Sequence, residues 1–88
     1  MSIKIEIPYH LRQYTNNREI VEVKGKTIKE CLDEVVRRYP AMKDELFDTT
    51  GEPGVILLHQ GEPVADGTLQ GKVKDGDVIG VYPIIIGG

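Results

Sequence analysis

Ile28, Cys31, Leu32, Val35, Val36 and Tyr39 fall at i, i+3, i+4, i+7, i+8 and i+11, so on a helix they form one continuous apolar stripe. Lys29, Glu30, Asp33, Glu34, Arg37 and Arg38 occupy the remaining positions. Thr27 stands three residues before Glu30, the capping-box spacing that satisfies free amides at a helix start. Pro40 disfavours helical geometry at Tyr39 and ends the helix there. A helix with one apolar stripe has to lay it on a second layer, and the flanking segments supply that layer.

Ile3-Lys4-Ile5-Glu6-Ile7 alternates apolar and charged residues with the period of a strand that is buried on one face and wet on the other. Pro8 ends it. The turn-forming Thr15-Asn16-Asn17 leads into Arg18 to Lys24, where Val21 and Val23 alternate with Glu22 and Lys24. These two strands are expected to form an antiparallel hairpin. Beyond the helix, Ala41 to Asp48 is expected to make a short turn or helix that tucks Leu46 and Phe47 inward. Thr50 to Gly54 reads as a loop. Val55-Ile56-Leu57-Leu58 is an apolar run consistent with a buried strand closing at His59-Gln60-Gly61. Pro63 restricts Glu62 to Ala65 to an edge, because it has no amide hydrogen to donate to a ladder. Asp66-Gly67 and Lys74-Asp75-Gly76-Asp77 read as turns. Val78-Ile79-Gly80-Val81-Tyr82 reads as a last strand, central because both of its faces are apolar and, with the helix crossing one face, parallel to the first. The order predicts an α+β domain of two layers, a mixed sheet of four to five strands and one main helix.

With 88 residues and 40% hydrophobic content the chain supports one small core. A net charge of -3 leaves no basic footprint for nucleic acid, and the mixed-sign run around Arg37-Arg38 reads as a solvated helix face. One cysteine excludes an internal disulfide framework and a cysteine-cluster metal site. No signal-peptide pattern and no run of transmembrane length is present, so a soluble, cytoplasmic protein is the expectation, with no membrane partner.

The last residues, Pro83-Ile84-Ile85-Ile86-Gly87-Gly88, carry the functional signal. Two residues without Cβ fit a channel too narrow for side chains and accept the backbone angles that threading demands. They present the Gly88 carboxylate to another enzyme. A carboxylate does not react with nucleophiles in neutral water, so chemistry at Gly88 requires activation, most simply by attack on the α-phosphate of ATP. We read residues 1–83 as the folded domain and 84–88 as a flexible tail. Ile84, Ile85 and Ile86 after Pro83 then form an apolar patch of the kind that marks a protein contact, and the outer sheet face with Lys4 and Glu6 adds to it. The competing reading extends the last strand through Ile86 as core.

Ile7-Pro8 with Leu11-Arg12, the helix opening at Thr27, and Lys74-Asp75-Gly76-Asp77-Val78 with Pro83 and Gly87-Gly88 together resemble the β-grasp, ubiquitin-like sulfur carriers of the MoaD/ThiS type. That family includes the molybdopterin synthase small subunit and the thiamin-pathway carrier. The resemblance covers nearly the whole chain, and its specific part is the C-terminal pattern. It implies a β-grasp fold and a protein that is not itself an enzyme. A ubiquitin-activating-type adenylyltransferase would use ATP to activate Gly88, a sulfurtransferase or cysteine desulfurase would supply sulfur, and the resulting thiocarboxylate would pass it to a synthase subunit. No cofactor is bound by the carrier, and a chain ending at Gly88 needs no trimming. The destination expected is molybdopterin. Ile7-Pro8-Tyr9-His10-Leu11-Arg12 also resembles carriers serving cysteine or related metabolites, while Leu58-His59-Gln60-Gly61 and the long loop from Asp48 to Gly54 depart from many relatives. A ubiquitin-like modifier shares every one of these features, and a plain β-grasp interaction module is the third alternative.

Other reactive side chains take structural readings. Cys31 lies inside the helix stripe and reads as a small buried hydrophobe. His10 and His59 lie far apart in loops or strand ends, without metal-ligand spacing, and no metal is assigned. Arg12 and Arg18 read as solvated charges around the first hairpin turn. The acidic residues lie on solvated faces or in turns, and none forms a catalytic pair.

Overall fold

The computed structural model describes residues 2–65 and 69–84. Its elements are β1 (Ile3–Glu6), a 3-10 turn (Tyr9–Tyr14), β2 (Ile20–Val23), α1 (Ile28–Arg38), a second 3-10 turn (Pro40–Met42) running into α2 (Lys43–Leu46), β3 (Val55–His59), β4 (Glu62–Pro63) and β5 (Val78–Pro83). The sheet order is β2-β1-β5-β3-β4. β1 lies antiparallel to β2 and parallel to β5, while β3 lies antiparallel to both β5 and β4. This is the mixed five-stranded sheet and crossing helix of a β-grasp domain. β5 is central and parallel to β1, and the proline-containing β4 is an edge, as the sequence predicts.

The alternation in β1 becomes a division of faces. Ile3 and Ile5 are fully buried and Ile7 nearly so, whereas Lys4 and Glu6 are exposed. β2 adds Val21 and Val23 to the same face, opposite Ile5 and Ile3. α1 closes over them with Ile28, Cys31, Leu32 and Val35 buried, and Val36 and Tyr39 packed at the margin. Leu46 is fully buried and Phe47 partly so, as expected of the segment after Pro40. Met42, Leu69 and Val73 complete the core from irregular segments with no periodicity to announce them.

The start of α1 departs from a simple capping box. The Thr27 hydroxyl accepts the Glu30 N–H at 3.1 Å as expected, but the Glu30 carboxylate accepts from the Lys26 N–H at 3.1 Å, one residue before the cap. The returning segment explains the shift. Thr27 bridges to Lys72, and the carbonyls of Gly71 and Leu69 accept the N–H groups of Ile28 and Lys29 at 3.0 and 2.8 Å. Every free amide of the first turn is thereby satisfied, two of them by a loop some forty residues downstream in the chain.

β3 corrects the expectation of a buried strand. Val55 and Leu57 face the core, but Ile56 points away from it and is 47% exposed. A single helical layer covers only one face of the sheet, so an uninterrupted apolar run cannot be buried on both sides. The Asp66-Gly67 turn predicted from the sequence lies outside the described residues.

β3 and the turn before β5 are tied by a contact absent from the sequence reading. His59 Nε2 lies 2.7 Å from Asp77 Oδ2, and the same oxygen accepts the Lys74 N–H at 2.9 Å. The hydrogen bond from His59, then that from the Lys74 amide, hold the Asp77 carboxyl below the usual carboxylate range. A depressed carboxylate contributes stability above its unfolded-state value, about 3.9, that is lost as pH falls through the folded value. Replacing His59 by leucine removes the leading cause and is expected to shrink this acid-side loss. Urea midpoints measured from pH 7 down to the acid limit should therefore fall less below pH 4 in H59L than in the wild type. Parallel acid limbs would mean that the pair carries no linkage.

Candidate functional site

β5 fixes where the C-terminal segment leaves the fold. It is held on both sides, by β1 from Lys4↔Val78 to Glu6↔Gly80 and by β3 from Val55↔Pro83 to His59↔Ile79. The strand ends at Pro83, whose ring fixes φ and offers no amide hydrogen to prolong the ladder. Ile84 follows outside the strand and is 52% exposed. Of the residues singled out from the sequence, Pro83 and Ile84 thus stand together at the exit of the central strand, while Ile85, Ile86, Gly87 and Gly88 lie outside the described residues. So does any test of where the domain gives way to a tail.

The uncovered sheet face beside this exit is apolar at its centre. Ile56 lies opposite Tyr82 and Leu58 opposite Gly80 in the β3–β5 ladder, so their side chains share the face turned away from α1. Ile56 and Tyr82 are 47% and 44% exposed. Gly80 shapes the patch by lacking a side chain. A Cβ there would fall 2.8 Å from Tyr82 Cε2 and 3.3 Å from Glu6 Oε1, so the aromatic ring lies across the strand over the glycine. Lys4 and Glu6 border the same face from β1, in keeping with the outer-face contact expected from the sequence. Tyr82 and Ile56 join this face beyond the residues that the sequence points to. Their signal was the strand period itself, which sets even-numbered residues of β5 and β3 on one face once the register is known.

Cys31 belongs to the core and not to this site. It is fully buried, and burial, then the nearby negative charges of Glu30 and Asp77, push its thiol up to about 11. The thiolate is the reactive form, so this sulfur is inert at neutral pH. The folded protein is expected to resist a thiol-reactive reagent such as Ellman's reagent at pH 7.5, at least about a hundredfold more slowly than the protein in denaturant. Equal rates in the two conditions would contradict the burial. His10 is exposed, and His59 is engaged with Asp77. Among the described residues no group of three or more His, Cys, Asp or Glu side chains is arranged to hold a metal ion.

Arg12 differs from its expected role as a solvated charge. Its Nε donates to the Ile7 carbonyl at 3.1 Å, Nη1 approaches Glu19 at 3.4 Å, and the guanidinium lies 5.7 Å from the Tyr9 ring centroid. It pins the 3-10 turn to the end of β1. Arg18 is exposed, as expected.

The likeness to known proteins agrees with this geometry. The sequence model of the ThiS family matches residues 5–88. The chain belongs to the ThiS family. Its fold is close to that of a chain in the crystal structure of the Amycolatopsis orientalis BexX/CysO complex, with a TM-score of 0.85, 31% identity and coverage of 98% of this chain and 99% of that one. SAMP1 from Haloferax volcanii superposes with a TM-score of 0.84 at 25% identity over the full length of both chains. The putative molybdopterin converting factor subunit 1 from Pyrococcus furiosus gives a TM-score of 0.74 at 23% identity, over 97% of this chain and 99% of that one, a likeness of fold. No match is found among curated protein sequences. Membership of the ThiS family, with these neighbours, makes the chain a ubiquitin-fold protein of the sulfur carrier and modifier type. No helix among the described residues is long and apolar enough to cross a membrane.

Proposed function

We propose that this ThiS-family protein is a sulfur carrier whose working group is the carboxyl of Gly88. The observation that supports the reading is the place of Pro83 and Ile84, the described residues nearest Gly87-Gly88 in the sequence, at the end of a central strand paired on both sides and beside an exposed apolar face. In the proposed reaction a carboxylate oxygen of Gly88 attacks the α-phosphate of ATP on an activating adenylyltransferase, and pyrophosphate leaves. The terminal sulfur of a persulfide on a sulfurtransferase or cysteine desulfurase then attacks the acyl carbon and expels AMP, and a thiol cleaves the resulting acyl disulfide, leaving a thiocarboxylate and a disulfide on the donor. Its sulfur is nucleophilic at neutral pH for the same reason that a thiolate is. The carrier contributes shape, reach and a docking face but no catalytic side chain. Ile84, Ile85 and Ile86, with Tyr82 and Ile56, are the proposed contacts to partners, and Gly87-Gly88 enters the partner's channel.

The molybdopterin destination expected from the sequence draws support from fold likeness, since the converting-factor neighbour shares 23% identity. The 31% identity to a chain of the BexX/CysO complex supports a carrier that works bound to a partner protein. The second reading, a protein modifier, is favoured by the full-length match to SAMP1. Incubation with the activating enzyme, ATP and a sulfide source, followed by denaturing electrophoresis, separates the two. A carrier keeps its size and becomes reactive toward a thiol-directed alkylating probe at its C-terminus. A modifier forms larger conjugates that survive reductant. Absence of both products would overturn the reading of Gly88 as the working group.

A further inference from the structure

A cleft of about 520 Å³ runs along the free edge of β2, on the opposite side of the sheet from β4. Lys4, Arg18, Ile20, Glu22, Arg38 and Tyr39 line it, so it spans the outer sheet face and the C-terminal end of α1. The Ile7 N–H donates to the Glu19 carbonyl at 2.8 Å, and Ile5 and Ile3 stand opposite Val21 and Val23. In an antiparallel pair, alternate residues turn their backbone groups to the partner, so those of Ile20 and Glu22 point outward into the cleft. β2 pairs with β1 and with no other strand among the described residues.

Among the charged side chains that line the cleft, positive ones are in excess. Lys4 and Arg18 have no hydrogen-bonding or ionic partner for their side chains among the described residues. Arg38 shares Glu34 with Arg37, at 3.5 Å, and keeps further donors free. The single carboxylate lining the cleft, Glu22, is approached by the Ser2 hydroxyl at 3.3 Å. Three cations against one anion is the reverse of the balance over the whole chain, whose net charge is -3. Charged side chains on an edge strand also discourage indiscriminate pairing. The same charges select among strands, admitting an acidic one and rejecting a basic one.

We propose that the β2 edge is a second docking surface, separate from the C-terminal segment, which takes an extended acidic peptide of a partner protein as an added sixth strand. Backbone bonds to Ile20 and Glu22 set its register. Ile20, 45% exposed, supplies apolar contact, and Lys4, Arg18 and Arg38 receive its carboxylates. A second copy of this chain fits less well, because pairing two β2 edges brings two such cation sets together. The surface lies two strands from β5, so its occupation leaves the exit at Pro83 and Ile84 open.

The test is titration of the 15N-labelled full chain with acetyl-Asp-Val-Asp-Val-Asp-Val-amide, its lysine counterpart, and the acidic peptide N-methylated on alternate residues in both registers. Saturable shifts centred on the Ile20 and Glu22 amides, slower hydrogen exchange at both, and about tenfold weaker binding by Arg18→Glu and by Arg38→Gln are expected. The lysine peptide should not bind at this edge, and N-methylation should abolish binding in the one register that faces β2 and spare it in the other. Equal binding by the lysine or both N-methylated peptides, shifts centred on Tyr82 instead, or no shifts at all would overturn the proposal. Concentration-dependent broadening of Ile20 and Glu22 without any peptide would overturn it in favour of a second copy. These outcomes are independent of whether Gly88 carries sulfur.

Discussion

A chain lacking Gly87 and Gly88 is expected to unfold at the same midpoint as the full chain and to form no thiocarboxylate at all. The first half follows from where the core of the described residues ends. Ile79 and Val81 are buried within β5, the strand closes at Pro83, and Ile84 is already half in solvent. Removing residues beyond that point takes away no described buried contact, so the stability change should stay within about 0.5 kcal/mol. The second half follows from the chemistry proposed for Gly88. In the shortened chain the terminal carboxylate belongs to Ile86, whose branched Cβ does not fit a channel shaped for bare backbone. Thermal unfolding and reconstitution with the activating enzyme check the two halves separately. A truncated chain that still acquires sulfur would place the reactive group elsewhere, and one that unfolds many degrees lower would show that the terminus is part of the core.

Leu32→Ala carries the opposite signature. Leu32 is fully buried in the middle of the α1 stripe that covers the sheet, within the cluster formed by Ile3, Ile5 and Ile79. Truncating such a side chain loses its transfer free energy and leaves a cavity, at a cost of about 2–5 kcal/mol. Domains of this size have about 5–15 kcal/mol in total, and each kcal/mol moves the midpoint by roughly 4–8 °C. The melting temperature should therefore fall by at least about 8 °C in calorimetry. At temperatures where the variant remains folded its C-terminus should still be activated, because Leu32 lies on the covered face of the sheet. A drop of a degree or two would mean that α1 packs more loosely on the sheet than its burial indicates.

The parts of this fold that were legible beforehand are those written in local periods. β1 shows its faces in five residues, α1 shows its stripe, cap and proline stop in fourteen, and the apolar composition of β5 marks it as central. β3 was read only in part, because Val55-Ile56-Leu57-Leu58 has no polar residue to mark the wet face. Met42, Leu69 and Val73 lie in segments without a repeating pattern, so their burial depends on how the chain returns under α1. The bond between His59 and Asp77 joins residues eighteen apart, and the bonds that complete the helix start join Ile28 and Lys29 to Gly71 and Leu69. Sequence spacing is blind to such pairs. Arg12 looked like any surface arginine because its partner is a backbone carbonyl, which has no sequence signature.

The candidate site divides in the same way. Pro83 and Ile84 were identified from the order of residues in the C-terminal pattern, and the structure sets them at the end of the central strand. The apolar face formed by Tyr82, Ile56 and Gly80 became visible only when the β3–β5 register fixed which side chains are neighbours. Gly80 shows why composition misses such a feature. Its role is the space that it leaves for the Tyr82 ring.

Whether Gly88 carries sulfur is read by intact-mass spectrometry of the protein isolated from its native host. The expected species is heavier by the exchange of one oxygen for sulfur, with fragmentation placing the change at Gly88, and it disappears when Gly87 and Gly88 are deleted. An unmodified terminus both in the isolated protein and after reconstitution with the activating enzyme, ATP and a sulfur source would contradict a carrier role for Gly88.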